Sequence, residues 1–274
     1  MIKSKKINDI KIKKVRLPKL DEKKIRGSSL LPLYSNTFIC AKKASGKTTV
    51  IYNILKKCAD SDTILHLFVS TISKDRSYIS LVKHFQNKGL TVHSHTSTVG
   101  ENGQDLIRAI IDEPAEVSES ESDNEESSEE DLHYIAIDSN EEPEENLKKK
   151  KRKKSKLAQK MIIVLDDLGN ELKKPSIDML VKINRHLKCK VILSSQYLND
   201  LSPQARRQID VWLLFGGLKK NKLEQILRDA DTALEYNEFE QVYMYATSQK
   251  YNFMYLDTHT DTYRRNFNEV IQIG

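Results

Sequence analysis

Residues 36–58 read NTFICAKKASGKTTVIYNILKKC: a short apolar run, a polar loop ending in Gly46-Lys47-Thr48, then a segment of mixed polarity. In that last segment Val50, Ile51, Ile54, Leu55 and Cys58 fall at i, i+1, i+4, i+5 and i+8, which is one face of a helix. A strand, a Gly-Lys-Thr loop and a helix in this order form a phosphate loop. Backbone N–H groups at the helix N-terminus wrap a β-phosphate, the lysine reaches the β and γ oxygens, and the hydroxyl serves Mg²⁺. The candidate nucleotide-binding residues are therefore Ala41, Lys42, Lys43, Ala44, Ser45, Gly46, Lys47, Thr48 and Thr49. Ala41 stands where the usual pattern has its first glycine. If that position needs a left-handed backbone, the Cβ costs about 1–2 kcal/mol; if not, it costs almost nothing.

Working outward, MIIVLDDLGN at 161–170 is an apolar strand running into two carboxylates. A buried strand that ends in an acid is how a phosphate site sets a carboxylate against its metal. Asp166 is the expected metal organiser beside Thr48, and Asp167 the group that activates water. Next, KVILSSQYLNDLSPQARRQIDVWLLF at 190–215 delivers Gln196 from a third β run, where it can hydrogen-bond a γ-phosphate or the attacking water. Arg206 and Arg207 follow just before a further strand.

Five runs read as short buried strands: 36–40, 63–69, 161–165, 190–193 and 211–215. Ile177, Leu180, Val181, Asn184 and Leu187 repeat the helical spacing ahead of the fourth run. Strand and helix alternate, which predicts a mainly parallel sheet with helices on both faces. Near the end, Val242–Ala246 and Phe253–Leu256 flank SQKYN and are expected to pair as an antiparallel hairpin.

The chain has 274 residues, 45 Lys+Arg and 39 Asp+Glu, but its net charge of +6 is unevenly spread. Residues 1–30 are a basic N-terminal arm. Residues 113–157 read as a disordered insertion, acidic then basic, with too few apolar groups to offset the entropy of ordering. Asp112–Glu145 holds 16 acidic residues and no Lys or Arg, and Lys148–Lys156 then supplies 8 basic ones. The acidic half is a candidate DNA mimic, the basic half an import signal or DNA strap, and Leu132–Ile137 a docking motif or an added edge strand. Outside 112–156 the net charge is +14, which points to a polyanionic partner, nucleic acid first. Residues 31–112 and 158–274 form the α/β domain. Three cysteines without pairing or metal-ligand spacing fit buried thiols in a reducing cytoplasm or nucleus. No apolar run is of membrane-spanning length and no secretory leader is apparent, so a soluble, non-secreted protein is expected.

The order AKKASGKTT, IIVLDD, ILSSQYLNDLSPQARRQIDVWLLF and FMYLDTHTDTYRRNFN resembles the genome-packaging ATPases of large nucleocytoplasmic DNA viruses, virophages and Maverick/Polinton elements. These belong to the FtsK–HerA group of P-loop motors. The resemblance covers about 31–112 and 158–274. It implies a RecA-like P-loop NTPase fold and an ATP- and Mg²⁺-dependent hydrolase that moves double-stranded DNA. It also implies a homo-oligomeric ring, a hexamer or pentamer, with capsid proteins as further partners and association with the virion. By the same resemblance Lys47 and Thr48 bind phosphate and metal, Asp166 holds the metal, Asp167 acts as base, and Gln196 senses the γ-phosphate. Arg206, in preference to Arg207, is implied to act in trans on a neighbour's γ-phosphate. Ala41 and the charged insertion depart from the family pattern.

Three other readings share the first motif. One is an FtsK/HerA-type translocase or helicase-like ATPase outside packaging. Another is a nucleoside kinase, which has no use for the Gln strand followed by Arg. The third is a non-hydrolysing adaptor, motivated by Ala41.

Overall fold

All five apolar runs are strands. The computed structural model describes residues 25–113 and 158–272. The expectations for residues 1–24 and for the insertion from 114 to 157, including Leu132–Ile137, lie outside the described residues. The strands are β1 (Asn36–Cys40), β2 (Ile64–Val69), β3 (Val92–His95), β4 (Met161–Asp166), β5 (Cys189–Ser195), β6 (Val211–Phe215), β7 (Phe253–Asp257), β8 (Thr262–Arg265) and β9 (Glu269–Ile271). They form one sheet in the order β3-β2-β4-β5-β1-β6-β7-β8-β9. The first six are parallel, and β7, β8 and β9 continue the sheet antiparallel.

Side chains along each central strand alternate between two cores, as the pleat demands. Ile39, Leu67, Val164, Ile192 and Leu213 face one core, filled by α1 (Lys47–Cys58) and α2 (Arg76–Gln86) through Ile51, Ile54, Leu55, Tyr78, Leu81 and Phe85. Phe38, Cys40, Leu165, Leu193, Trp212 and Leu214 face the other. That side is covered by α3 (Leu106–Asp112), α4 (Pro175–Ile183), α6 (Lys220–Ala230) and α7 (Tyr236–Ala246), with the short α5 (Pro203–Arg206) at its rim. Burial on both faces explains why the central strands read as near-continuous apolar runs. All three cysteines are buried and free. Burial pushes the Cys40 thiol up to about 11 and that of Cys189 up to about 12, so both are inert.

One expectation is corrected. Val242–Ala246 is not a strand but the second half of α7. Phe239, Val242, Tyr243 and Ala246 recur at i, i+3, i+4 and i+7 and are all buried, while Glu235 and Glu238 form a capping box that fixes the helix start. A five-residue stretch in which Val242, Tyr243 and Tyr245 are β-prone hides that longer period when taken alone. The C-terminal hairpin exists, but it pairs β7 with β8, in register from Met254–Arg265 to Asp257–Thr262. Its turn runs through Asp261, whose φ of 48° is left-handed.

Candidate active site

β1 leads into the phosphate loop without a break. The N–H of Ala41 donates to the carbonyl of Ser195 at 3.1 Å, so Ala41 extends the ladder with β5 and is buried. Its backbone is not among the left-handed positions, and the alanine therefore carries no strain. The left-handed residues of the loop are Ala44, at φ 62°, and Gly46, at φ 94°. Gly46 is the N-cap of α1, and neither a capping side chain nor an acidic residue in the first turn occupies that helix end. The first N–H groups of α1 are thus left for an anion, with the helix dipole favouring one.

The carboxylates arrive from two strands away. β4 ends in Asp166, and Asp167 turns off the strand at φ 51° with its N–H donating to Ser194 at 3.1 Å. The ammonium of Lys47 sits between the two, 2.8 Å from Asp166 Oδ1 and 2.5 Å from Asp167 Oδ2. Asp166 is buried, and its other oxygen accepts a 2.6 Å hydrogen bond from Tyr78. Burial, and then the charge of Asp166, hold the Tyr78 phenol far above its ordinary value, so it stays a donor. The Asp167 side chain is 41% exposed and faces the cleft.

β5 lies between β1 and β4, which carries Gln196 to the gap between the loop and the aspartates. The turn that presents it is pinned: Ser195 donates its hydroxyl to Asp200, and the Tyr197 N–H donates to Ser195 Oγ at 3.2 Å. These groups line one open cavity of about 990 Å³ at the carboxyl edge of the parallel strands. Its lining includes Lys42, Lys43, Ala44, Ser45, Gly46, Lys47, Thr48 and Thr49 together with Asp166, Asp167 and Gln196. Of the expected loop residues only Ala41 is absent from the lining, because it belongs to the strand. A crevice outside the carboxyl ends of parallel strands is where open α/β sheets bind ligands.

Arg206 is not brought to this cavity. Its guanidinium is buried, ion-paired to Asp229 at 2.6 Å and donating to the Leu201 carbonyl at 2.8 Å. Arg207 next to it is exposed. Sequence reasoning missed Tyr78 and Asp200. The Tyr78, Leu81, Phe85 spacing signals α2, but nothing in it separates a core tyrosine from one that serves a carboxylate.

The donor set suits Mg²⁺ carried in with a polyphosphate. It consists of oxygens only, the Thr48 hydroxyl on the anion-seeking end of α1 and the Asp166 carboxylate at the end of β4. Mg²⁺ is usually held by one or two carboxylates plus substrate phosphates and waters. Among the described residues no group of three or more His, Cys, Asp or Glu makes a metal cage by itself. No described helix is long and apolar enough to cross a membrane.

The family model described as Poxvirus A32 protein matches residues 123–257, a span that includes Asp166, Asp167, Gln196 and Arg206 but not the phosphate loop. Curated protein sequences give no significant match. Among solved structures, the genome packaging NTPase B204 from Sulfolobus turreted icosahedral virus 2, in complex with AMP, aligns at 17% identity with a TM-score of 0.50. The alignment covers 87% of this chain and 96% of that one. B204, the DNA-packaging ATPase from Sulfolobus turreted icosahedral virus, aligns at 17% identity and TM-score 0.51, covering 85% and 97%. The chain thus has the P-loop NTPase fold that it shares with these viral genome-packaging ATPases, and over its second half it resembles the poxvirus A32 protein family.

Proposed function

We propose that this protein is an ATP-hydrolysing motor that moves double-stranded DNA and packages a viral genome. The observation that carries the reading is the convergence of Lys47, Thr48, Asp166, Asp167 and Gln196, distant in sequence, on one cavity. The loop N–H groups and Lys47 would bind the phosphates of ATP, and Thr48 and Asp166 would hold Mg²⁺, which would supply positive charge against the charge of the phosphates. Asp167 accepts the proton of the attacking water, and Gln196 orients that water or the γ-phosphate. When a triphosphate enters, Lys47 moves its charge from the two aspartates to the β/γ oxygens.

Copies of the chain assemble as a ring of five or six around duplex DNA, with capsid proteins as further partners. The +14 carried outside 112–156 supports contact with DNA phosphates. Arg207 is the better candidate for a trans-acting arginine, because Arg206 is held within its own subunit by Asp229. The adaptor reading loses its motive, since Ala41 is an unstrained strand residue. The kinase reading leaves Gln196 without a role.

The test is ATP turnover with and without duplex DNA, on protein whose oligomeric state is measured in the same sample. Turnover stimulated by DNA, suppressed by salt and abolished in Lys47→Ala supports the motor. A rate indifferent to duplex DNA at low salt rejects it, and transfer of phosphate to a nucleoside would favour the kinase instead.

A further inference from the structure

We propose that Tyr251 is the platform on which the nucleobase stacks. The inference deepens the ATPase reading and rests on it. The γ-phosphate end of a bound triphosphate is fixed by Asp167, after β4, and Gln196, after β5. Both strands lie on the same side of β1 in the sheet order. A nucleotide held at Lys47 and Thr48 therefore runs away from them, across the N-terminus of α1, and its base comes to the opposite flank, over β6 and β7.

Tyr251 stands on that flank, two residues before β7 starts at Phe253. Its ring rests on the phosphate loop: a Cβ at Gly46 would lie 3.4 Å from Tyr251 Cδ1. Yet the residue is 58% exposed and fills no core. Its backbone φ is 72°, a left-handed conformation that bulky residues avoid, so the chain holds an aromatic in the open against its own preference. Two cations share the flank. The Lys250 ammonium lies 4.9 Å from the Tyr251 ring centre, and that of Lys42 reaches over Gly217, just past β6. They have the sign that an α-phosphate attracts. Tyr197 is the other exposed aromatic near the loop, at 61%, but it follows Gln196 at the γ-phosphate end, with Lys222 over its ring at 5.0 Å. It cannot meet the base of a nucleotide whose γ-phosphate faces Asp167.

The experiment compares full-chain wild type, Tyr251→Ala and Tyr251→Phe by calorimetric titration with Mg·ATP and, separately, with inorganic tripolyphosphate plus Mg²⁺. Thermal unfolding of each variant serves as the control for folding. Loss of a stacked base is expected to weaken ATP about 10- to 100-fold in Tyr251→Ala. The same variant should bind tripolyphosphate as wild type does, and Tyr251→Phe should bind both normally. Unchanged ATP affinity in Tyr251→Ala overturns the inference, as does an equal loss for ATP and tripolyphosphate, which would mean only a damaged loop. A wild type that binds neither ligand overturns the ATPase reading itself.

Discussion

Tyr78 donates a 2.6 Å hydrogen bond to Asp166, 88 residues further along the chain. The bond joins α2 to the end of β4 in the floor of the cavity and holds one carboxylate oxygen, so that the other faces Lys47 at 2.8 Å. Replacing Tyr78 by Phe leaves a buried carboxylate oxygen without its donor. The expected cost is about 1–3 kcal/mol of folding stability, seen as a fall in the thermal midpoint, together with a lower ATPase rate. Stability and rate both equal to wild type would show that the bond does nothing.

Asp167 and Lys47 are 2.5 Å apart, and a γ-phosphate placed between them would be repelled by the carboxylate while the lysine attracts it. Under the proposed mechanism, in which Asp167 is the base, Asp167→Asn should lower turnover about 10²- to 10⁴-fold. ATP affinity should stay the same or improve, because one negative charge leaves the cleft and Lys47 is freed. Turnover and equilibrium binding of ATP, measured on the same sample, separate the two effects.

The two adjacent arginines should behave oppositely. Arg206→Ala strands the nearly buried Asp229 carboxylate and is expected to cost about 3–5 kcal/mol in denaturant unfolding. Arg207→Ala, on the surface, should change stability by no more than about 0.5 kcal/mol. Under the ring proposal it should nonetheless cut turnover of the assembled protein on the order of 10³-fold. Mixing Arg207→Ala subunits with Lys47→Ala subunits should restore part of the activity, which no subunit acting alone can do.

His66 links stability to pH. Burial, and then the neighbouring His93 and His95, hold its pKa down to about 4. The ring of His93 stacks on it at 4.8 Å between centroids. In the unfolded chain His66 takes up a proton near its ordinary value of about 6.5, while in the folded chain it stays neutral. Between those values the unfolded state binds more protons, so stability is full above about pH 6.5 and declines as the pH falls toward about 4. The decline is on the order of 1–3 kcal/mol. Denaturant midpoints across this range should flatten in His66→Phe.

What the sequence disclosed follows the physics of each element. β1, β4, β5 and β6 are buried on both faces and announce themselves as unbroken apolar runs, so the sheet and the carboxyl-edge placement of Lys47, Asp166, Asp167 and Gln196 were legible. β3 reads VHSH and, among the described residues, pairs with β2 alone, so no apolar run marks it. The second half of α7 reads as a strand because Val242, Tyr243 and Tyr245 are β-prone, whereas the helical period needs the eight residues from Phe239 to Ala246. The pairing of Arg206 with Asp229 brings together residues 23 apart on two helices that only the fold makes neighbours. Ala41 and Ala44 show the same limit at one-residue scale: the pattern drew attention to the missing glycine at 41, while the left-handed alanine is at 44.

Gln159 marks where the chain returns from its charged excursion. Its amide donates to the Cys58 carbonyl at 2.6 Å, and its own carbonyl accepts from Thr63 at 3.0 Å. These partners sit at the tail of α1 and just ahead of β2, the rim of the molecule farthest from the triphosphate cleft. The chain is thus anchored at Gln159 by bonds to Cys58 and Thr63. A fluorophore or affinity handle grafted just ahead of Gln159 would therefore report from the opposite edge of the sheet to the cleft that holds Lys47 and Asp167.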